Sequence, residues 1–594
     1  MNRLSSPLLL LILAQAVLAQ RNFSGTVETD PEKERATFKM APGFEANLFA
    51  ADPLLAKPIQ MSWDIKGRLW VACSETYPQI KPGESARDKI LVLEDTNGDG
   101  KADKTTIFAD GLLIPTGVEP AGNGAYVIDS TDLVFLEDTN GDLKADKRTV
   151  ILSGFGTEDT HHMVHTVRWH FDGRLHFNQS IYIHSHIETP HGPRRLGGSG
   201  IWRFHPPTQR LEVVQRGLVN PWGHHHDRFG QSFATDGAGG EGINFVVPRA
   251  YYATAVGAKR ILPGLNPGSP KHCGLELVFG RAFPEDWQGD AITCDFRGHR
   301  VCRFKLTPDG SGFISREQTE VIKSDHPAFR PIDVRLGPDG ALYIADWFNP
   351  IIQHGEVDFR DPRRDKTHGR IWRVTATGRP LAPRQDYSAL APSDLVQLLR
   401  EPEQYTRHQA RRALVERGEA ASLAALEAAT AALPGGPGTP VDLDFLWTWQ
   451  SFDKYPEKLL AKVIGSEDPR IRAAAVRVLV DDRDRKPDAM ERIGTMVTDP
   501  DPRVRLEAVR ALGLFANSPK AAALALKVRN QPMDRWLDYG LWLTLDELAP
   551  AWLGALDKGE WGGDVALDDL LFALQAVGAQ GAAGRLAGLV RAGK

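Results

Sequence analysis

The stretch DGRLHF at residues 172–177 joins an Asp-Gly turn to a short strand of alternating polarity. Similar turn-strand units recur with successive turn glycines 49 to 59 residues apart, at Gly67, Gly124, Gly173, Gly230, Gly289 and Gly340. Most units are followed by a second strand of one type, such as IWRF at 201–204 and IWRV at 371–374. Regular short strands at this period are typical of a β-propeller. The six units therefore predict an all-β six-bladed propeller over residues 39–378.

Beyond residue 378 the chain becomes rich in Ala, Leu and Arg with helical periodicity. The segment DPRIRAAAVRVL at 468–479 returns 33 residues later as DPRVRLEAVRAL at 501–512. In each copy Asp suits the cap of a helix, and Pro suits the first helical position, where its missing N–H costs nothing. This pattern predicts an all-α solenoid of HEAT-like repeats over 379–594, whose surface would bind a protein partner or pack on the propeller.

The N-terminus has the pattern of a secretory signal peptide over residues 1–19. Arg3 is followed by an apolar run at 8–17 and a small-residue cleavage pattern ending at Ala19. A retained membrane anchor is the alternative. Residues 20–38 are polar and are predicted to be a flexible lead-in. We therefore expect a periplasmic or extracellular protein, which a retained anchor would associate with the membrane. A net charge of −5 and the lack of a long Lys/Arg run argue against nucleic acid as a partner.

Two loops of nearly identical sequence carry spaced oxygen donors, which predicts structural Ca²⁺ sites. Donors at positions 1, 3, 5 and 9 suit a hard cation, but both loops follow a strand and lack the Glu of an EF-hand at position 12. Plain hairpin turns are the alternative. The predicted ligands are Asp95, Asn97, Asp99 and Asp103 in the first loop, and Asp138, Asn140, Asp142 and Asp146 in the second.

Histidine is concentrated in one part of the chain: 12 of the 18 histidines lie between His161 and His226. Histidine titrates near neutral pH and is the commonest metal ligand. His184 and His186 alternate on a strand and would share one face. With His162, His165 or His224 they could complete a Zn- or Cu-like site. The alternative is a polar pocket wall of hydrogen-bonded histidines. Further candidates are Glu276, Asp346 and His354.

Three segments follow one another along the chain, namely HHMVHTVRWHFDGRL at 161–175, NPWG at 220–223 and ATDGAGGEGIN at 234–244. Their order resembles that in soluble PQQ-dependent glucose/sorbosone dehydrogenases, which are six-bladed propellers. More closely, the chain resembles the membrane-bound dehydrogenase propellers of planctomycete and verrucomicrobial genomes. Those join the propeller to HEAT repeats and often to a C-terminal cytochrome c. The resemblance implies an exported oxidoreductase of sugars or alcohols, with PQQ as hydride acceptor and Ca²⁺ in the site. Since no Cys-x-x-Cys-His haem motif occurs, a separate cytochrome or quinone would take the electrons.

The resemblance also implies a catalytic base. The family's general base lies ten residues before the Asp-Gly turn, at the position of His162. A neutral imidazole there can accept a hydroxyl proton near pH 7. The family has Asp immediately before this base, whereas His161 stands there in this chain, so the carboxylate that would support the base is missing.

The cofactor contacts implied by the resemblance are only partly retained. PQQ carries three carboxylates, and buried charge of this kind needs cationic partners. Val219, Phe296 and Ile332 replace cations of the family motifs. Arg168, Lys271, Arg297 and Arg330 could substitute for them. The residues predicted to bind the cofactor are His161, His165, Asn220, Gly237, Arg297, Arg330 and Asp333.

Two other functions remain open at this point. One is a metal-dependent hydrolase or lactonase of the propeller type, in which Ca²⁺ or Zn²⁺ activates water. The other is a non-enzymatic propeller that binds carbohydrate or protein beside a HEAT scaffold, because the same fold hosts all three functions.

Overall fold

The computed structural model describes residues 25–238, 241–252, 262–267, 271–352, 357–563 and 565–591. The predicted signal peptide and His354 lie outside the described residues. Within these ranges, no helix has both the length and the apolar character needed to cross a membrane.

Twenty-seven strands are described, and they form the propeller. They are β1 (Phe38–Met40), β2 (Phe44–Ala51), β3 (Pro58–Trp63), β4 (Leu69–Cys73), β5 (Asp88–Glu94), β6 (Lys104–Leu112), β7 (Pro115–Ala121), β8 (Gly124–Asp129), β9 (Asp132–Glu137), β10 (Lys147–Ser153), β11 (His165–Trp169), β12 (Leu175–Gln179), β13 (His184–Ile187), β14 (Arg194–Gly197), β15 (Gly200–His205), β16 (Arg210–Arg216), β17 (Pro221–His226), β18 (Ser232–Asp236), β19 (Gly242–Val246), β20 (His272–Leu277), β21 (Ala291–Asp295), β22 (Arg300–Asp309), β23 (Gly312–Glu317), β24 (Ile322–Ser324), β25 (Pro331–Leu336), β26 (Leu342–Asp346) and β27 (Arg370–Ala376).

The strands form six antiparallel blades, which confirms the predicted fold class. Blades one and two are β3–β6 and β7–β10. Blade three is β11, β12, β15 and β16, with β13 and β14 as a separate hairpin, and blade four is β17–β19. Blade five is built on β20, β21, β22 and β24, and blade six on β25–β27. The ring is closed by the N-terminal strands, because β1 pairs with β24 and β2 pairs with β27.

The segment just before this closure differs from the predicted flexible lead-in. Residues 31–35 form helix α1 (Pro31–Arg35), capped by Asp30. Glu34 is fully buried, and its carboxylate lies 3.2 Å from Nε of the equally buried Arg370. Glu34 therefore joins this segment to blade six, while most other side chains of 25–38 are exposed.

The second half of the chain is helical, as predicted, with HEAT-like helix pairs. The helices are α2 (Pro392–Leu398), α3 (Gln404–Glu416), α4 (Glu419–Ala431), α5 (Pro440–Ser451), α6 (Glu457–Ile464), α7 (Pro469–Asp481), α8 (Ala489–Met496), α9 (Pro502–Leu512), α10 (Pro519–Leu526), α11 (Arg535–Glu547), α12 (Ala549–Asp557), α13 (Leu567–Ala576) and α14 (Gly578–Arg591). The repeated aspartates cap α7 and α9, since Asp468 accepts from Arg470 N at 2.9 Å and Asp501 from Arg503 N at 2.8 Å.

The innermost strands β3, β7, β11, β17, β20 and β25 line the central channel. They run in the same direction, so their first residues lie at one end of the channel, which we call the mouth. Their last residues lie at the other end, which we call the solenoid end because the helices cover it. There Arg412 of α3 donates to Trp63 O at 3.0 Å and also to Pro120 O. Arg228 and Asp444 form an ion pair across the same interface at 2.9 Å.

Candidate functional site

The histidine-rich stretch does not form one cluster. His161, His162 and His165 lie at the mouth, just before or at the start of β11. A second group lies near the solenoid end, on β12 and β17 and in the turn after β11. A third group, His184 and His186, lies on the hairpin outside the blade.

The mouth contains two histidines held by one carboxylate. Asp159 Oδ2 lies 2.9 Å from Nδ1 of His162, and Asp159 Oδ1 lies 3.1 Å from Nδ1 of His161. All three side chains are between 12% and 17% exposed, so they reach solvent without being free in it. Asp159 therefore supplies the carboxylate that the sequence comparison found missing at position 161. The only signal in the sequence is an Asp two residues earlier in the same loop.

Backbone and hydroxyl contacts fix His162 and its neighbour His165. Ser180 N donates to His162 O at 3.1 Å, and Ser180 Oγ donates to Pro221 O at 3.0 Å. His165 lies 2.9 Å from Thr166 Oγ1 through Nδ1 and 3.4 Å from Ser180 Oγ through Nε2. Burial, with a smaller effect from His162, lowers the pKa of His165 to about 3. His165 is thus a neutral hydrogen-bonding group, while His162 is the more accessible imidazole.

Aromatic rings surround the two histidines. Tyr77 lies edge-on to His161, with ring centroids 5.2 Å apart, and contacts Trp347 at 5.6 Å. Tyr182 lies 5.5 Å from the His162 ring and is 57% exposed. Such a wall, with a few convergent polar groups, suits a small polar ligand.

Asn220 and Gly237, both predicted to bind the cofactor, meet at the mouth. Gly237 N donates to Asn220 O at 2.8 Å, and Asn220 N donates to Asp236 Oδ1 at 2.8 Å. The side-chain oxygen of Asn220 is buried and has no hydrogen-bond partner among the described residues. It is therefore an unsatisfied acceptor next to the Gly237 backbone.

The predicted cofactor cations are largely engaged elsewhere. The Arg330 guanidinium is buried and donates to the carbonyls of Phe296 and Asn349, both at 2.8 Å, and of Pro350 at 3.3 Å. Burial lowers the pKa of Arg330 to about 9. Arg168 lies near the solenoid end, 2.6 Å from the Glu276 carboxylate. These two arginines stabilise the fold.

Asp333 likewise has a role in the channel wall. Its Oδ2 accepts from Met61 N at 3.1 Å and lies 3.3 Å from Arg335 Nε. Arg297 is partly exposed in the turn after β21, at the mouth. Arg168 and Arg330 are therefore engaged within the fold, whereas Arg297 lies at the mouth, and binding of PQQ stays a prediction.

The predicted calcium loops make hydrogen bonds within themselves. Asp95 accepts from the amides of Gly98 at 2.7 Å and Gly100 at 2.8 Å, and it also pairs with Arg384. In the second loop Asp138 accepts from Gly141 N at 2.6 Å. Other predicted ligands, namely Asn97, Asp103, Asn140 and Asp146, also bond within their loops, to Asp99, Thr96, Asp142 and Thr139. Ca²⁺ binding at these turns stays a prediction.

The predicted metal site built from His184, His186 and His224 is not formed. His184 and His186 do share a face, but that face is exposed, and they contact Glu158 at 3.3 Å and Arg195 at 3.3 Å. His224 is buried in blade four among other histidines. The alternation of polarity could not indicate which face of a separate hairpin meets solvent.

The protein is a six-bladed propeller. A HEAT-like solenoid covers one end of its channel, and a histidine–carboxylate group lies at the other end. These features define its class. The chain belongs to the family described as domain of unknown function DUF7133, whose model matches residues 30–263 and 268–378. A model for HEAT repeats matches residues 456–537. No curated protein matches the chain.

Several solved structures are similar to the propeller. The holo PQQ domain of pyranose dehydrogenase from Coprinopsis cinerea is 13% identical, with a TM-score of 0.38, over 57% of this chain and 97% of its own. The PQQ-bound aldose sugar dehydrogenase of Streptomyces coelicolor is 16% identical, with a TM-score of 0.36, over 57% and 100%. The calcium-binding protein regucalcin of Agrobacterium tumefaciens is 11% identical, with a TM-score of 0.35, over 58% and 98%. At these values the similarity carries no argument about activity.

Proposed function

We propose that this protein is an exported oxidoreductase that oxidises a hydroxyl group of a sugar or alcohol at the propeller mouth, with His162 as the general base. The observation that carries the proposal is the contact of 2.9 Å between His162 Nδ1 and Asp159. The contact is an ion pair by distance and not a hydrogen bond, and a carboxylate this close to Nδ1 stabilises the imidazolium that forms on proton uptake. Nε2, on the opposite side of the ring, is then the atom that accepts the substrate proton.

The proposed reaction removes one proton and one hydride. The hydroxyl proton passes to Nε2 of His162, and the hydride on the adjacent carbon leaves with its electron pair to a two-electron acceptor of the quinone class. The substrate carbon becomes a carbonyl carbon. The rings of Tyr77 and Tyr182 and the Asn220 side-chain oxygen would orient the substrate. PQQ is one candidate for that acceptor, and we assign no step to it; a separate quinone or cytochrome is the proposed electron partner.

The proposed location follows from the signal-peptide pattern at 1–19, which supports a periplasmic or extracellular protein, with membrane association through a partner or a retained leader. The solenoid surface not engaged by the propeller is the proposed site of a protein partner.

The test is oxidation of a panel of sugars and alcohols by the purified protein with an artificial dye acceptor. Parallel reactions contain a soluble quinone, or PQQ with Ca²⁺, and binding of PQQ is followed by absorbance. We expect turnover that falls about 10²- to 10⁴-fold in His162→Gln. The matched control is His184→Gln, an exposed histidine of the hairpin beside blade three, which should keep full activity.

Failure of every acceptor to support oxidation would contradict the proposal. Hydrolysis of lactones in the presence of Ca²⁺ or Zn²⁺ would instead favour the hydrolase function. Binding of a carbohydrate without turnover, unchanged in His162→Gln, would favour a non-enzymatic propeller.

A further inference from the structure

A second group of histidines lies between blades three and four, near the solenoid end. His176 is on β12, and His224 and His226 are on β17, where alternate residues share a face. One ring nitrogen from each of the three lies within 4.8 Å of the other two. The residues are only 6%, 5% and 8% exposed.

The hydrogen bonds of this group are incomplete. Neither ring nitrogen of His176 has a hydrogen-bond partner among the described residues. Burying an imidazole without partners is unfavourable, because its contacts with water are lost and not replaced. The fold therefore keeps a buried polar ring pointing into a space where nothing described satisfies it.

The neighbouring His224 has the arrangement of a held ligand. Its Nε2 lies 2.7 Å from Ser232 Oγ, so Nδ1 is the nitrogen that remains available as a ligand. Metal-binding histidines commonly use their second nitrogen for such an orienting hydrogen bond. Burial, reinforced by the neighbouring histidines, lowers the pKa of all three imidazoles well below the usual range. They are thus neutral, which is the form that coordinates a metal.

A carboxylate and a fourth histidine lie beside the three. His170 Nδ1 is 3.0 Å from Asp172 Oδ1, and the His170 ring is 3.8 Å from that of His226. Asp172 is also paired with Arg174 at 3.1 Å. His170, Asp172 and His176 form a second group with the same close spacing of ligand atoms. Negative charge and a further nitrogen are therefore available next to the three imidazoles.

We propose that His176, His224 and His226 bind a divalent transition-metal ion, with Zn²⁺ as the best match. Imidazole donors suit Zn²⁺, Cu²⁺ and Ni²⁺, whereas Ca²⁺ and Mg²⁺ require oxygen ligands. Zinc–nitrogen bonds of about 2.0–2.1 Å in a tetrahedral site place the nitrogens about 3.4 Å apart. Small side-chain rotations bring the observed spacing to that value.

The position of this site indicates a structural function. A cavity of about 130 Å³ adjoins it, and its walls include Trp447 of α5 together with Val476 and Arg477 of α7. A bound ion would join blades three and four directly beneath the solenoid. The site is remote from the mouth along the channel, so the proposal is independent of the proposed function.

The experiment uses untagged full-length protein, because a histidine tag would itself bind metal. Protein freed of metal by a chelator is incubated with Zn²⁺ or Co²⁺ and desalted, and its metal content is measured by elemental analysis. We expect one ion per chain, with loss of that ion in His176→Gln and in His226→Gln. The control is the double variant His184→Gln/His186→Gln, which should keep it.

Two measurements remain informative if a ligand variant does not fold. Ser232→Ala removes only the orienting hydroxyl and should weaken Zn²⁺ binding about 10- to 100-fold. X-ray absorption on the loaded wild-type protein should show at least three imidazole nitrogens at about 2.0–2.1 Å. Wild-type protein that retains no more metal than His176→Gln, or an absorption spectrum dominated by oxygen ligands, would overturn the proposal.

Discussion

The two ends of the propeller channel use histidine in opposite ways. At the mouth, His161 and His162 share the partly exposed carboxylate of Asp159. Near the solenoid end, His176, His224 and His226 lie against one another, and His176 has no described hydrogen-bond partner. Both groups come from one short region of the sequence. The comparison shows that the partners and burial of a histidine, rather than local histidine density, indicate its chemistry.

The two histidine groups suit different chemistry: proton transfer at the mouth and metal binding near the solenoid end. A carboxylate stabilises a charged imidazole, so the mouth suits a group that gains and loses a proton. Burial among other imidazoles disfavours the charged form, so the inner group suits a metal ion that replaces the proton. Each prediction below changes one side of this comparison.

The largest effect is expected from Asp159→Asn at the mouth. The amide cannot stabilise the imidazolium and can favour the wrong tautomer of His162, so kcat should fall about 10²- to 10⁴-fold. The pH dependence of kcat should differ from that of the wild-type protein, because the His162–Asp159 pair is broken. The metal content should stay unchanged. Unaltered kcat in Asp159→Asn would show that the carboxylate does not support a base.

Removal of metal should act only at the inner group. An ion whose free concentration is about 1,000 times its Kd stabilises the folded state by about 4 kcal/mol. Chelation should therefore lower the Tm of the wild-type protein by roughly 3–5 °C. His176→Gln should start from the lower Tm and show no further change with chelator. An equal response of both proteins would break the distinction between the two ends.

Acid should destabilise the propeller through its buried histidines. Burial lowers the pKa of His272 to about 3 and that of His299 to about 3, whereas an unfolded imidazole titrates near 6.5. Between these values the unfolded chain binds more protons than the folded chain. Stability is therefore complete above about pH 6.5 and is lost as the pH falls through the window between about 6.5 and 3.

The expected loss is on the order of 1–2 kcal/mol for each such histidine at pH 5. Urea unfolding between pH 7 and pH 5 measures it, and His272→Gln should reduce the slope against pH by up to one proton. The helical half contains one histidine, His408, and burial lowers its pKa well below the usual range as well, so most but not all of this acid sensitivity belongs to the propeller. A urea midpoint that does not change over this range would contradict the assignment.

The sequence predicted the fold well because the fold depends on local periodicity. The turn glycines from Gly67 to Gly340 and the repeated aspartates Asp468 and Asp501 each encode an element that forms without distant information. The site depends on how loops from different blades meet. Nothing local shows that Arg330 turns to the carbonyls of Phe296 and Asn349, or that Asp159 turns back to His162.

The same reason explains why the sequence grouped His184 and His186 with His224. Alternation correctly placed His184 and His186 on one face. Whether that face is buried depends on β13 leaving the blade to pair with β14 in a separate hairpin. His224 and His226 have the equivalent alternation on β17, which stays within its blade, so their shared face is covered by the neighbouring blade and the solenoid.

The smallest effect is expected from the exposed hairpin itself. His184→Gln/His186→Gln removes two histidines whose contacts are with Glu158 and Arg195 at the surface. Exposed pairs of this kind contribute little, so the free energy of unfolding should change by less than about 0.5 kcal/mol. Urea unfolding, the activity assay and metal analysis on one preparation check all three properties. A loss of metal or activity in this variant would mean that histidine number, rather than burial and partners, governs the behaviour of the region.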